Sequence, residues 1–130
     1  MRVLVIDSQP HVRDALYFLL SQQPDIECIG VVGAGPGAAS KLALVAPEVV
    51  VLDWDLPQQT AASLLAIAGR LPDPPRIVVL SSSPEAEQSA LAAGAAAFVS
   101  KTDPPAAVLL ALRSVYLVDS KPGAPDAPQT

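Results

Sequence analysis

At 130 residues the chain is the size of one domain and long enough for a real core. Hydrophobic residues make up 51% and charged residues 16%, a globular composition on the apolar side of ordinary. The formal net charge of −5, without Lys/Arg clusters, argues against direct nucleic-acid contact, and the single cysteine, Cys28, excludes an intramolecular disulfide.

In chain order, MRVLVID enters a short strand (VLVI, residues 3–6) at once, without the longer apolar region and cleavage site of a secretory signal. Val12, Ala15, Leu16, Leu19 and Leu20 follow the spacing of one buried helix face. A second strand is expected over 26–32 (IECIGVV), with Cys28 as a small buried hydrophobe. The glycines around its end, Gly30, Gly33, Gly35 and Gly37, follow the wrong strand and lack the G-x-G-x-x-G order, so they read as a loop and not a dinucleotide site.

An alanine-rich helix over 38–46 leads to EVVVL (48–52). Leu64, Leu65, Ala68 and Leu71 mark the third helix face, before RIVVL (76–80). Ser83-Pro84 opens a fourth helix over 85–93, followed by AAAFVS (95–100). Asp103 is the expected N-cap of a last helix from Pro104-Pro105 to about Val118. Residues 119–130, DSKPGAPDAPQT, have no periodicity and read as a linker or tail outside a domain spanning 1–118. The most apolar helical stretch, Ala106 to Val118, is too short for a bilayer and carries Arg113, so a soluble, cytoplasmic domain without membrane contact is expected.

The alternation is (βα)5. Continuous apolarity in strands one, three and four requires cover on both faces, hence a parallel sheet in a three-layer α/β sandwich. With five strands the flavodoxin-like order 2-1-3-4-5 is the natural doubly wound arrangement. Sites in such sheets form beyond the carboxyl ends of the strands. Those ends supply Asp7-Ser8, Asp53-Trp54-Asp55, Ser81-Ser82-Ser83 and Lys101-Thr102. Carboxylates that hold Mg²⁺ or act as nucleophile, with a hydroxyl and an ammonium to neutralise phosphoryl oxygens, suit phosphoryl chemistry. A binding site without a covalent step uses the same groups. His11, the only histidine, has no partner at metal-ligand spacing, so a zinc site is not expected.

The segments VLVIDSQPHVRDAL, PEVVVLDWDLP, RIVVLSSS and ALAAGAAAFVSK, in this order and spacing, resemble the receiver domain of two-component response regulators over residues 1–118. DSQPHVRDALYFLLSQQPDIECIGVV looks most like regulators with a LuxR-type helix-turn-helix output domain. The resemblance implies Asp53 as acceptor of a phosphoryl group from a histidine kinase. It also implies Asp7, Asp53 and the backbone carbonyl of Asp55 as Mg²⁺ ligands, Ser81 and Lys101 as phosphoryl-binding groups, and Ser81 with Phe98 as the switch pair. The family usually carries two consecutive acids after strand one. Here Ser8 replaces the second, which implies weaker Mg²⁺ binding, with the Asp55 side chain as partial compensation. A degenerate, phosphorylation-independent receiver acting as a protein-interaction module is the competing reading, and a small flavodoxin-like nucleotide binder the remote one.

The last helix, AAVLLALRSVYLV, is apolar nearly all round, whereas a helix on a sheet face should have a polar outer side. Exposed apolar area of that kind marks an interaction surface. The resemblance makes this the helix 4/strand 5/helix 5 surface used for homodimer formation or for docking an output domain.

Overall fold

The structure, a computed structural model, describes residues 1–33, 35–57 and 60–120. Five strands, β1 (Arg2–Ile6), β2 (Glu27–Val32), β3 (Val49–Asp53), β4 (Arg76–Ser81) and β5 (Ala97–Ser100), alternate with five helices. The helices are α1 (Pro10–Ser21), α2 (Gly37–Val45), α3 (Thr60–Gly69), α4 (Glu87–Ala92) and α5 (Pro105–Ser120). All strand pairs are parallel and the sheet order is β2-β1-β3-β4-β5, the flavodoxin-like arrangement expected.

The β-branched runs explain which strands are central. Val49 to Asp53 is buried throughout, and β1 and β4 are buried beyond their first residues. Alternate residues feed two cores. Leu4, Ile6, Val50, Leu52, Ile77 and Val79 pack under α2, α3 and α4, which contribute Leu42, Leu64 and Ala90. Val3, Val5, Val49, Val51 and Val78 pack under α1 and α5, which contribute Leu16, Leu20 and Leu112. Edge strand β2 is only half-buried, and Cys28 with it; burial still pushes its thiol upward from the ordinary value.

Several local expectations differ from the outcome. Ala15 is exposed, because α1 buries only Leu16 and Leu20 fully. The fourth helix is broken into a 3-10 turn, Pro84–Ala86, and the short α4. Asp103 does not cap α5: its carboxylate accepts from the Ser100 N–H at 3.1 Å, closing the turn between β5 and the helix. That helix continues to Ser120, two residues into the expected tail, and residues 121–130 lie outside the described ones. Among the described residues no helix is long and apolar enough to cross a membrane.

Two turns return the chain to the sheet with left-handed backbone. Gly94, at φ 116°, leads from α4 toward β5, where only glycine adopts that angle without strain. Ala46 ends α2 at φ 46°, although it carries a Cβ. Relief of about 1–2 kcal/mol of left-handed strain exceeds the roughly 0.4–1 kcal/mol of extra unfolded-state entropy that glycine brings. Ala46→Gly is therefore expected to stabilise the fold by about 0.5–1 kcal/mol, read as a higher urea midpoint at unchanged m-value.

Candidate functional site

The polar residues buried in the described chain are Asp7, Asp53 and Ser81, each 0% exposed. The strands put all three at one edge. Asp53 is the last residue of β3 and pairs with Leu80; Ser81 is the last of β4 and pairs with Ser100. Asp7 follows β1, its N–H extending the ladder to Val32 O at 3.1 Å, and Lys101 follows β5, its N–H donating to Ser81 O at 2.9 Å. By strand alternation Asp7, Asp53 and Lys101 fall on the α1/α5 side, and Ser81 and Phe98 on the α3/α4 side.

Both oxygens of Asp53 are held. Oδ1 accepts from the Asp55 N–H at 2.9 Å and lies 3.0 Å from Lys101 Nζ. Oδ2 accepts from the Ser8 hydroxyl at 3.1 Å and the Ser8 N–H at 3.3 Å. Asp7 Oδ1 accepts from the Gln9 N–H at 2.9 Å, which turns the chain into α1. Asp7 Oδ2 is buried without a hydrogen bond and faces Lys101 Nζ at 3.3 Å. Lys101 is oriented further by Gln9 Oε1 at 3.2 Å.

Burial pushes the Asp7 carboxyl above the ordinary carboxylate range, and the Asp53 charge adds to this against the Gln9 N–H and Lys101. For Lys101, burial favours the neutral amine, but the hydrogen bond to Asp53 and the charges of Asp53 and Asp7 outweigh it and raise its value. The three acids at this edge face one ammonium, so the edge keeps an excess of negative charge that a cation would offset.

Asp55 differs from expectation. Its Oδ2 comes to 3.8 Å from Lys101 Nζ, but the carboxylate is not a free acid over the pocket. Oδ1 accepts from the Ser81 hydroxyl at 2.7 Å, and Oδ2 from the Ser82 N–H and hydroxyl, both at 2.8 Å. Burial raises the Asp55 carboxyl, but these bonds prevail and hold it below the usual range. Compensation for Ser8 by this side chain is thus not its position here. Ser83 does not cap the following turn through its side chain; its N–H donates to Ser81 Oγ at 3.0 Å.

Among the described residues no three His, Cys, Asp or Glu side chains group to hold a metal. Mg²⁺ needs fewer, because it keeps waters and takes one or two carboxylates. Asp7 with its unbonded buried oxygen, and Asp53 beside it, fit that requirement.

Phe98 is half-buried on β5 opposite Val79, two residues before the partner of Ser81. Sequence periodicity did not reveal the contacts of Ser8, Gln9 and Ser82, which depend on loop conformation. It also missed an apolar groove of about 390 Å³ between α1 and the start of α5, lined by Leu16, Phe18, Lys101 and Val108.

A family profile described as the response regulator receiver domain matches residues 3–113. The chain belongs to that family. It is a receiver domain of two-component response regulators, as the sequence resemblance implied. Among curated proteins it is 33% identical over 103 residues to protein-glutamate methylesterase/protein-glutamine glutaminase 2 of Cereibacter sphaeroides, covering 77% of this chain and 28% of that one. The chain thus spans less than a third of that relative. Among solved structures, the signal receiver domain of the response regulator NarL from Mycobacterium tuberculosis superposes with TM-score 0.80 at 25% identity, covering 89% of this chain and 95% of that one. A LuxR-family DNA-binding response regulator from Staphylococcus aureus gives TM-score 0.79 at 20% identity over 88% and 98%, a likeness of fold. Receiver domains of this family interact with histidine kinases and output domains and generally bind Mg²⁺ at their phosphorylation site.

Proposed function

We propose that Asp53 is the phosphoacceptor of this receiver. The observation that supports this best is a buried carboxylate at the end of the central strand, its two oxygens held by a lysine, a serine and a backbone N–H, with a second buried acid and a hydroxyl alongside. One Asp53 oxygen attacks the phosphorus of a kinase phosphohistidine. The P–N bond breaks, its electron pair stays on the imidazole nitrogen, and an acyl phosphate forms. Lys101 then pairs with the phosphoryl oxygens, and Ser81 donates its hydroxyl proton to one of them.

Asp7, Asp53 and the Asp55 carbonyl would hold Mg²⁺, which would supply charge neutralisation at the phosphoryl group. The groove beside Lys101 offers a protein donor an apolar seat next to the acceptor. Movement of Ser81 toward the phosphoryl group makes room for Phe98 to turn inward, biasing the α4–β5–α5 surface. Leu91, Leu110 and Leu117 are exposed on α4 and α5, supporting homodimer formation or output-domain docking there. The output module is a DNA-binding domain on the LuxR-type resemblance, with the esterase module named for the Cereibacter relative as the other class. The domain works in the cytoplasm, does not itself contact nucleic acid, and catalyses only its own phosphorylation and dephosphorylation.

With acetyl phosphate and Mg²⁺, the intact mass of the wild type is expected to rise by one phosphoryl group, and that of Asp53→Asn to stay unchanged. An unmodified wild type, with kinase also supplied, overturns the assignment in favour of a phosphorylation-independent interaction module.

A further inference from the structure

A serine hydroxyl has one proton to donate. In this structure the Ser81 proton is directed at Asp55 Oδ1, 2.7 Å away; the next acceptor, Ser83 O, lies at 3.4 Å. The Asp55 carboxylate is itself fixed from β4, because Ser82 donates to Oδ2 through both its N–H and its hydroxyl at 2.8 Å. The first peptide after β3 is tied down too, with the Trp54 N–H donating to Leu80 O at 2.7 Å. Asp55 therefore bridges the ends of β3 and β4 with a charge-assisted clamp on the hydroxyl that the phosphoryl group must recruit.

We infer that the Asp55 side chain is a positioning residue that competes with phosphorylated Asp53 for the Ser81 proton, and so sets how completely phosphorylation switches the α4–β5–α5 surface. The inference rests on Asp53 being the acceptor. A phosphoryl oxygen gains the Ser81 bond only as Asp55 loses it, so one anionic acceptor replaces another and the net drive for switching is small. Weakening the clamp removes the competitor and leaves the phosphoryl group unopposed. Ser82 tunes the clamp without touching Asp53, Ser81 or Lys101 in any of these bonds. The departure of Ser81 leaves Asp55 anchored to Ser82, so the clamp can close again after dephosphorylation.

The test uses the full chain, wild type and the variants Ser82→Ala, Asp55→Asn and Asp55→Ala, treated with acetyl phosphate and Mg²⁺. Intact mass reports the adduct. Amide chemical shifts of β5 and α4, read from the fully modified fraction, report the switched population.

Loss of a charge-assisted bond corresponds to about a tenfold or larger rise in the switching equilibrium constant for Asp55→Ala. Asp55→Asn keeps the shape with a neutral acceptor and is expected to fall between it and the wild type. Ser82→Ala is expected to form the adduct normally and to shift the equilibrium about threefold in the same direction. Added to Asp55→Ala, it should have no further effect, because both act through one carboxylate. Adducts on every variant with identical surface populations overturn the clamp while leaving Asp53 as acceptor. An additive effect of Ser82→Ala in the Asp55→Ala background overturns it as well. Failure of the wild type to form an adduct overturns the acceptor assignment, and the clamp with it.

Discussion

Lys101→Met is expected to destabilise the metal-free chain by about 3–5 kcal/mol, the usual consequence of removing one partner from a buried ion pair. The lysine side chain is 15% exposed, and those of Asp7 and Asp53 are 1% and 0% exposed. Methionine leaves both carboxylates in the protein without a counter-charge. Asp7 is already raised by burial, and loss of the lysine removes one of the influences that lower it. The sign of the pH dependence follows. A carboxyl raised in the folded state binds its proton more tightly folded than unfolded, so stability increases as pH falls.

The deficit of the variant relative to wild type should therefore be full above the variant's further-raised Asp7 value and close as pH falls toward the wild-type Asp7 value, below which both proteins gain from protonation alike. The Asp55 shift has the opposite sign, but the three Ser81 and Ser82 bonds that dominate its lowering are present in both proteins and cancel in the difference. Urea unfolding at pH 5 and pH 8 reads this directly. A second divalent-cation arm should narrow the deficit at pH 8, because a cation beside Asp7 and Asp53 replaces the missing charge. Phosphorylation by acetyl phosphate is expected to slow by about 10²–10³, the scale for losing one donor to developing oxyanion charge. Equal stability of variant and wild type at pH 8 would mean that the two buried acids are compensated by something other than Lys101.

What was legible in the sequence divides along a physical line. VVVL before Asp53 and IVVL before Ser81 demand burial on both faces, which places both residues at the carboxyl edge without any side-chain geometry. Periodicity stops at that edge. Whether Asp55 faces solvent, a metal or Ser81 depends on how the loop after β3 turns, and two apolar faces upstream carry no information about that. The hydroxyl pair Ser81-Ser82 next to an acid two residues beyond Asp53 was the available signal, visible only once β3 and β4 are known to be neighbours. Ala15 and the split fourth helix failed for another reason. Alanine is small enough to satisfy either side of a helix, so its spacing marks a helix without choosing a face. Helix α5 shows the converse case. Its apolarity exceeded what one sheet face can bury, and Leu110 and Leu117 are 71% and 62% exposed.

Ser8→Asp carries the other large expectation, and its sign reverses with metal. Ser8 is exposed, and its hydroxyl lies 3.1 Å from Asp53 Oδ2, so a carboxylate there meets Asp53 at close range with Asp7 beyond it. Two like charges about 4 Å apart repel by roughly 1 kcal/mol in water and about 4 kcal/mol near a protein surface. Ser8 also gives up a hydroxyl that now donates to Asp53, while its backbone N–H remains. The metal-free variant should therefore be less stable than wild type by about 1–3 kcal/mol. In saturating Mg²⁺ the same acid becomes a third carboxylate for the cation. Affinity is expected to rise about tenfold or more, worth roughly 1.4 kcal/mol per factor of ten in linked stability. Thermal unfolding in chelator and in a Mg²⁺ series separates the two terms. The variant should begin below wild type, gain more per decade of metal near its tighter midpoint, and be modified faster by acetyl phosphate. A Mg²⁺ response parallel to that of wild type would show that position 8 does not limit the pocket. The Asp55 carboxylate would then have to leave Ser81 and Ser82 to serve the metal, and Ser82→Ala would strengthen Mg²⁺ binding by freeing it.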